Sequence, residues 1–198
     1  MENSIEKKPT ERSLQDYLSL GYIYLLIMGI IREVIYYGCL EVNILSYSNV
    51  LDLLLSPLVF LSSNPKVIFS LLFFLVVIYF FNKSKNKKKL EDDLIPESEK
   101  VIIRNEILMG TLFLLALGIF AFFIGTGIGG GFKDAKKLKN GEFETSHQIT
   151  FLPAEKLKVK LIGNNSQYIF YVLENEKHIT ISPIVGNMKK IIKLPSKE

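Results

Sequence analysis

With 198 residues, 24 Lys and Arg against 20 Asp and Glu, and a formal net charge of +4, the chain is too weakly basic for its total charge to imply a nucleic-acid partner. A mean hydropathy of +0.26 beside 22% charged residues requires that charged and apolar residues be segregated. They are: no charged side chain occurs from Val67 to Phe81 or from Ile107 to Phe132, and an uncharged apolar run of about 18 residues or more reads as a membrane span. That pattern argues against an ordinary cytosolic enzyme, and the single cysteine, Cys39, excludes an internal disulfide and any multi-cysteine metal site.

The N-terminal tail, residues 1–16, sets Lys7, Lys8 and Arg12 against Glu2, Glu6, Glu11 and Asp16. No small-residue cleavage site closes the apolar stretch behind it, so that stretch is expected to be a retained span, not a cleaved signal peptide. Its uncharged part, Tyr17 to Ile31, covers only about 22 Å as a helix, less than a hydrocarbon core of roughly 30 Å. The first span is therefore expected to run over about 17–40, with Arg32 and Glu33 near one end, where a long cation can snorkel. Tyr17, Tyr22 and Tyr24 at one end, with Tyr36 and Tyr37 at the other, suit the two membrane interfaces.

From Glu41 to Lys66 the chain is apolar but interrupted by Asp52 and Pro57. An interfacial or re-entrant helix over about Ser48–Leu61, opened by a Ser or Asn cap, fits better than a complete span. The second span, about 67–82, is short and aromatic. A connector over 83–106 follows, and its Lys83, Lys85, Lys87, Lys88 and Lys89 abut a membrane end, which predicts a cytoplasmic side. The run also suits a plain solvated stop-transfer flank. With three spans, the N-terminus shares that side and the C-terminal region lies outside. Lys133, Lys136, Lys137 and Lys139, directly after the third span, oppose this orientation.

The third span is expected over about 107–131. Gly118, Ala121, Gly125 and Gly129 recur there at spacings of three and four, on one helix face, where small residues let a second helix approach. They are the candidate helix-packing set, read as a homo-oligomer contact or as packing within one subunit. Residues 132–198 change character, with 12 lysines, 7 acids and alternating segments HQITFL, KLKVKLIG, SQYIFYVLE, KHITISPI and MKKIIKL. A small antiparallel β-rich domain of four or five strands is expected, with hairpin turns at Gly163–Asn165 and Glu174–Lys177. The fold class is thus a membrane α-helical region of three spans plus an interfacial or re-entrant helix, followed by that domain. About 65 residues fold alone only marginally, so the domain should dock on the membrane or on other chain.

Chemistry is sparse. GTGIGGGF, Gly125 to Phe132, lacks the Lys-Ser/Thr ending of a phosphate loop and closes a membrane helix instead of following a strand. His147 and His178 have no cysteine partners, and no nucleophile motif or carboxylate pair stands out. No catalytic, cofactor-binding or metal-binding residue is assigned, no cofactor is expected, and the function is expected to be non-enzymatic. The residues that call for explanation are the candidate intramembrane polar set Arg32, Glu33, Glu41 and Asp52, surrounded by apolar sequence. Sequence neighbours point about 100° apart on a helix, so Arg32 and Glu33 are expected not to pair with each other, leaving Glu41 or Asp52 as the acid for Arg32. The bland alternative places all four at the interface, facing water.

The stretch GYIYLLIMGIIREVIYYGCLEVNILSYSNVLDLLLSP, Gly21 to Pro57, resembles a pattern in small polytopic bacterial membrane proteins: a Gly/Tyr-rich first span, then Tyr-Tyr, Asn-Ile and Tyr-Ser, then an acid before a leucine run. LIGNNSQYIFYVLENEKHITISPI, Leu161 to Ile184, is similar to their strand-rich tail. Such proteins turn up among the accessory membrane components of bacterial antiviral systems, including the small membrane proteins beside type VI-B CRISPR RNA nucleases. The resemblance implies a multi-pass protein of the bacterial inner membrane, acting as an oligomeric pore or membrane-perturbing component with the lipid bilayer and copies of itself as partners. The alternative is a membrane-anchored sensor or immunity-type protein binding a protein partner through residues 133–198. No direct nucleic-acid contact is expected.

Overall fold

The structure, a computed structural model, describes residues 14–90 and 96–195. The tail as far as Ser13 and the acidic cluster Glu91, Asp92 and Asp93 of the connector lie outside the described residues. Four α-helices precede one β-sheet: α1 Leu14–Cys39, α2 Val50–Ser63, α3 Pro65–Leu90, α4 Glu97–Asn140, then β1 His147–Phe151, β2 Lys156–Asn164, β3 Tyr168–Leu173, β4 Thr180–Pro183 and β5 Met188–Lys193.

Two helices are long and apolar enough to cross a membrane, α1 over Leu18–Cys39 and α4 over Glu99–Asn140. The expected second span is not an independent third. Pro65–Phe81 qualifies only jointly with α2, and the two meet at a 93° bend. Asn64 makes the corner: its backbone N–H reaches the Leu61 carbonyl, its side chain the Phe60 carbonyl, and Pro65 opens α3 where no intrahelical N–H is needed.

α1 stops because the chain turns left-handed at Glu41, φ 62°, with Val42 N–H bonding Tyr37 O and Glu41 N–H bonding Gly38 O. Those two bonds satisfy the last free carbonyls in the usual helix-stop pattern, here without the glycine that normally supplies it. α2 begins on a capping box: the Asn49 side chain accepts from Asp52 N–H, and Asn49 N–H donates to Asp52 Oδ2. Pro57 inside α2 removes a donor for the Leu53 carbonyl, and the Ser56 hydroxyl takes its place at 3.0 Å.

The expected third span is only the middle of α4, a helix of 44 residues and therefore about 66 Å long, about twice a hydrocarbon core. A domain boundary at 132 falls inside this helix. Lys133–Asn140 stays helical because Ala135 and Leu138 keep an apolar stripe that packs on the sheet, and the helix ends at Gly141, φ 71°. α1 and α4 run parallel, since Tyr24 meets Ala116, Arg32 meets Gly127 and Cys39 meets Gly131. Their N-terminal ends therefore lie together, and the β domain sits at their C-terminal ends.

The sheet is an antiparallel five-stranded meander closed out of sequence, order β4-β3-β2-β1-β5. Only residues 184–187 join its two edge strands, and Ile184 N–H bonds Gln167 O while Leu152 N–H bonds Asn187 O, so the sheet must curl strongly. A register shift in β2 between Leu161 and Gly163 supplies part of the curl. Inside the curl lie Ile149, Phe151, Val159, Ile169 and Tyr171. On the opposite face Phe170 and Val172 join Tyr37 and Leu40 of α1, Ile44, and Leu138 of α4 in a second core that docks the domain on the helices.

Candidate functional site

That docking leaves a cavity of about 1110 Å³ between α1, α2, the end of α4 and the tip of the β2–β3 hairpin. Three of the four candidate polar residues line it: Arg32, Glu33 and Asp52. The fourth does not. Glu41 is exposed at the left-handed stop of α1 and borders a separate cleft of about 240 Å³.

Arg32 and Glu33 pair with each other, Nη1 to Oε1, with side chains only 12% and 17% exposed. This corrects the expectation from helix geometry that neighbours cannot meet. The Arg32 side chain is long enough to fold back, and α2 fixes it there by setting the Phe60 ring 3.5 Å from the guanidinium carbon. Glu41 and Asp52 do not serve as its acid. Arg32 Nε is buried and meets no acceptor among the described residues.

α4 completes the site. Gly127 lets the Arg32 backbone approach, a Cβ there lying 3.1 Å from the Arg32 carbonyl oxygen. About one turn further along α1 and two along α4, the Tyr36 hydroxyl donates to Asp134 Oδ2 at 2.7 Å. Thr126 and Lys133 of α4 also line the cavity. Sequence reasoning missed Tyr36, Tyr37, Thr126 and Asp134. The tyrosines read as an interfacial belt, and Thr126 and Asp134 received no reading. The overlooked signal was the helical spacing of Gly127, Gly131 and Asp134, which places them along one side of α4.

Asp52 has a different task. Its carboxylate accepts from Ser166 N–H at 3.1 Å and from the Ser166 hydroxyl at 3.0 Å, while Asn49 Nδ2 donates to the same hydroxyl at 2.9 Å. Asn165 donates to the Tyr47 carbonyl at 2.9 Å and accepts from Tyr168 N–H at 2.7 Å. The start of α2 is thereby clasped to the hairpin tip, and the β domain holds one end of the bent helix pair. Asp52→Ala removes the capping partner and both Ser166 bonds, an expected cost of about 1–2 kcal/mol. The measurement is amide hydrogen exchange at Ser166 and Tyr168, which should quicken; unchanged exchange would show that the clasp holds nothing.

The candidate helix-packing residues divide. A Cβ on Gly118 would lie 2.9 Å from Phe74 of α3, so this glycine serves packing within the chain. Ala121, Gly125 and Gly129 are exposed, and nothing lies within 4 Å of a Cβ at either glycine. The α1–α4 contact uses Gly127 and Gly131 instead.

His147 and His178 stay apart from this site. Burial, then the charges of Lys193 and Lys160, hold the His147 imidazole below its ordinary value, while exposed His178 lies 3.1 Å from Glu176. Among the described residues no group of three His, Cys, Asp or Glu side chains is placed to hold a metal ion. No protein-family model, curated protein or solved structure matches the chain.

Proposed function

We propose that the protein is a non-enzymatic, multi-pass component of a bacterial plasma membrane, and that it gates a polar path through that membrane as a homo-oligomer. Its crossings are α1, the bent α2–α3 pair and α4. The observation that carries this reading is the placement of Arg32 and Glu33: the charges of the first span line a cavity walled by a broken helix pair, with little of either side chain exposed. Intramembrane ion pairs of this kind mark ion and substrate paths, and irregular backbone at membrane depth is tolerated where it lines a cavity.

The layer below supplies a gate. One turn toward the N-terminus from Arg32 lies Met28, one turn from Gly127 lies Phe123, both buried, and the Phe60 ring stands 6.2 Å from Phe123. An apolar layer under a polar vestibule blocks ions by dewetting. Phe60 belongs to α2, whose other end is clasped to the hairpin tip, so movement of the β domain shifts one wall of that layer. Positive charge at the end of α3 puts that end in the cytoplasm and the β domain outside. The resemblance of Gly21–Pro57 supports a setting in antiviral defence. A second reading, an anchored sensor or immunity-type protein, draws support from apolar residues bare on the domain, Val185 at 82% exposure and Leu152 at 51%.

Reconstitution tests the proposal. Liposomes holding the full chain should release trapped potassium faster than empty ones, and Phe123→Ala should speed release by widening the apolar layer. An impermeant thiol reagent on intact cells should label Glu174→Cys and spare Lys83→Cys. No flux from either protein refutes the gate, and labelling of Lys83→Cys alone reverses the orientation.

A further inference from the structure

The cavity's lining also fixes the sign of the charge it admits, and we infer that it selects cations over anions. This rests on the conducting reading above and deepens it. Five charged side chains line the cavity: Arg32 and Lys133 against Glu33, Asp52 and Asp134. The positive pair is the weaker one. Arg32 and Glu33 cancel each other as an ion pair, with the Phe60 ring beneath the guanidinium, which leaves Lys133 against Asp52 and Asp134. Lys133 is exposed, so solvent screens it.

The acidic residues keep capacity. Asp134 receives one hydrogen bond, from a neutral tyrosine hydroxyl, and its Oδ1 has no partner among the described residues. Asp52 accepts from uncharged donors, Asn49 N–H, Ser166 N–H and the Ser166 hydroxyl. Tyr36, Tyr37, Phe60 and Phe170 stand between these groups in the lining. Aromatic faces carry negative potential and attract cations, and walls of low dielectric focus the field of the carboxylates into the space they enclose. Rings of carboxylates are the usual device of cation-conducting paths. In an oligomer each subunit repeats this set, which makes the imbalance cumulative.

The experiment is a reversal-potential measurement on the full chain in a planar bilayer under a tenfold potassium chloride gradient. The wild type should reverse close to the potassium equilibrium potential. Asp134→Asn should lower the ratio of potassium to chloride permeability by about half, as expected when one of two available carboxylates is lost. Glu33→Gln should act in the same direction and Arg32→Gln in the opposite one. Glu174→Gln, exposed at the β3–β4 turn, should change nothing. Should Glu33→Gln fail to insert, Asp134→Asn decides, because a neutral amide oxygen can still accept the Tyr36 hydroxyl. Current that reverses at zero or toward the chloride potential overturns cation selection and leaves conduction standing. Absence of current from the wild type overturns conduction and the selectivity with it.

Discussion

Arg32→Leu is expected to cost the folded protein about 3–5 kcal/mol, because it strands the Glu33 carboxylate in a site where that side chain is only 17% exposed. Glu33→Leu should cost a similar amount by stranding the guanidinium. The double replacement, Arg32→Leu with Glu33→Leu, should recover most of the loss, since two apolar side chains of similar volume leave no uncompensated charge. Non-additivity of that size is the mark of a direct pair, and two residues facing water separately would show none. A denaturing-detergent titration of the purified protein, followed by helix content, measures all three variants. Arg32→Lys separates the partners of the guanidinium further: lysine keeps the charge toward Glu33 but loses the flat stacking on Phe60, so an intermediate loss is expected. Equal stability of wild type and Arg32→Leu would refute the buried pair and remove the site's central feature.

The pair also shows where sequence reasoning stops. All five strands were legible, because alternation of apolar and polar residues in Gln148–Phe151 or Leu157–Leu161 reports the two faces of a sheet directly. The start of α2 was legible for a local reason too, since Asn49 and Asp52 stand at cap spacing. Arg32 and Glu33 were misjudged because the relation between their Cβ directions is local, whereas their pairing is imposed by Phe60, 28 positions beyond Arg32 on a different helix. The length of α4 escaped for a related reason. Hydropathy reports where lipid ends, at Lys133, and is silent about where the helix ends, at Gly141; the stripe Ala135–Leu138 needed the sheet as its partner before it could be seen as buried. The clasp at Ser166 joins segments more than a hundred residues apart, and neither side carries a pattern that points to the other.

The glycines of α4 give the sharpest contrast between two readings of one sequence feature. GTGIGGG places small residues on every side of the helix, so periodicity alone cannot choose the face that meets a neighbour. The structure does choose within the chain: a Cβ on Gly131 would lie 2.8 Å from Cys39 Cβ and 3.0 Å from the Tyr36 carbonyl oxygen, with backbone on one side that cannot yield cheaply. Gly29 is equally closed, since a Cβ there would fall on the Pro57 ring. Gly131→Ala is therefore expected to cost about 1–3 kcal/mol by forcing α1 and α4 apart, and Gly131→Leu should abolish the folded state. Gly125→Leu and Gly129→Leu enter open space and should leave subunit stability within about 0.5 kcal/mol of the wild type. Their effect belongs to assembly: if copies meet through this face, either replacement holds two helix backbones apart and shrinks the particle seen by light scattering of the detergent-solubilised protein. Gly131→Leu folding normally would refute the α1–α4 contact. An unchanged particle mass for the Gly125→Leu, Gly129→Leu double variant would assign that bare face to lipid and require the oligomer to close through α3 or the β domain.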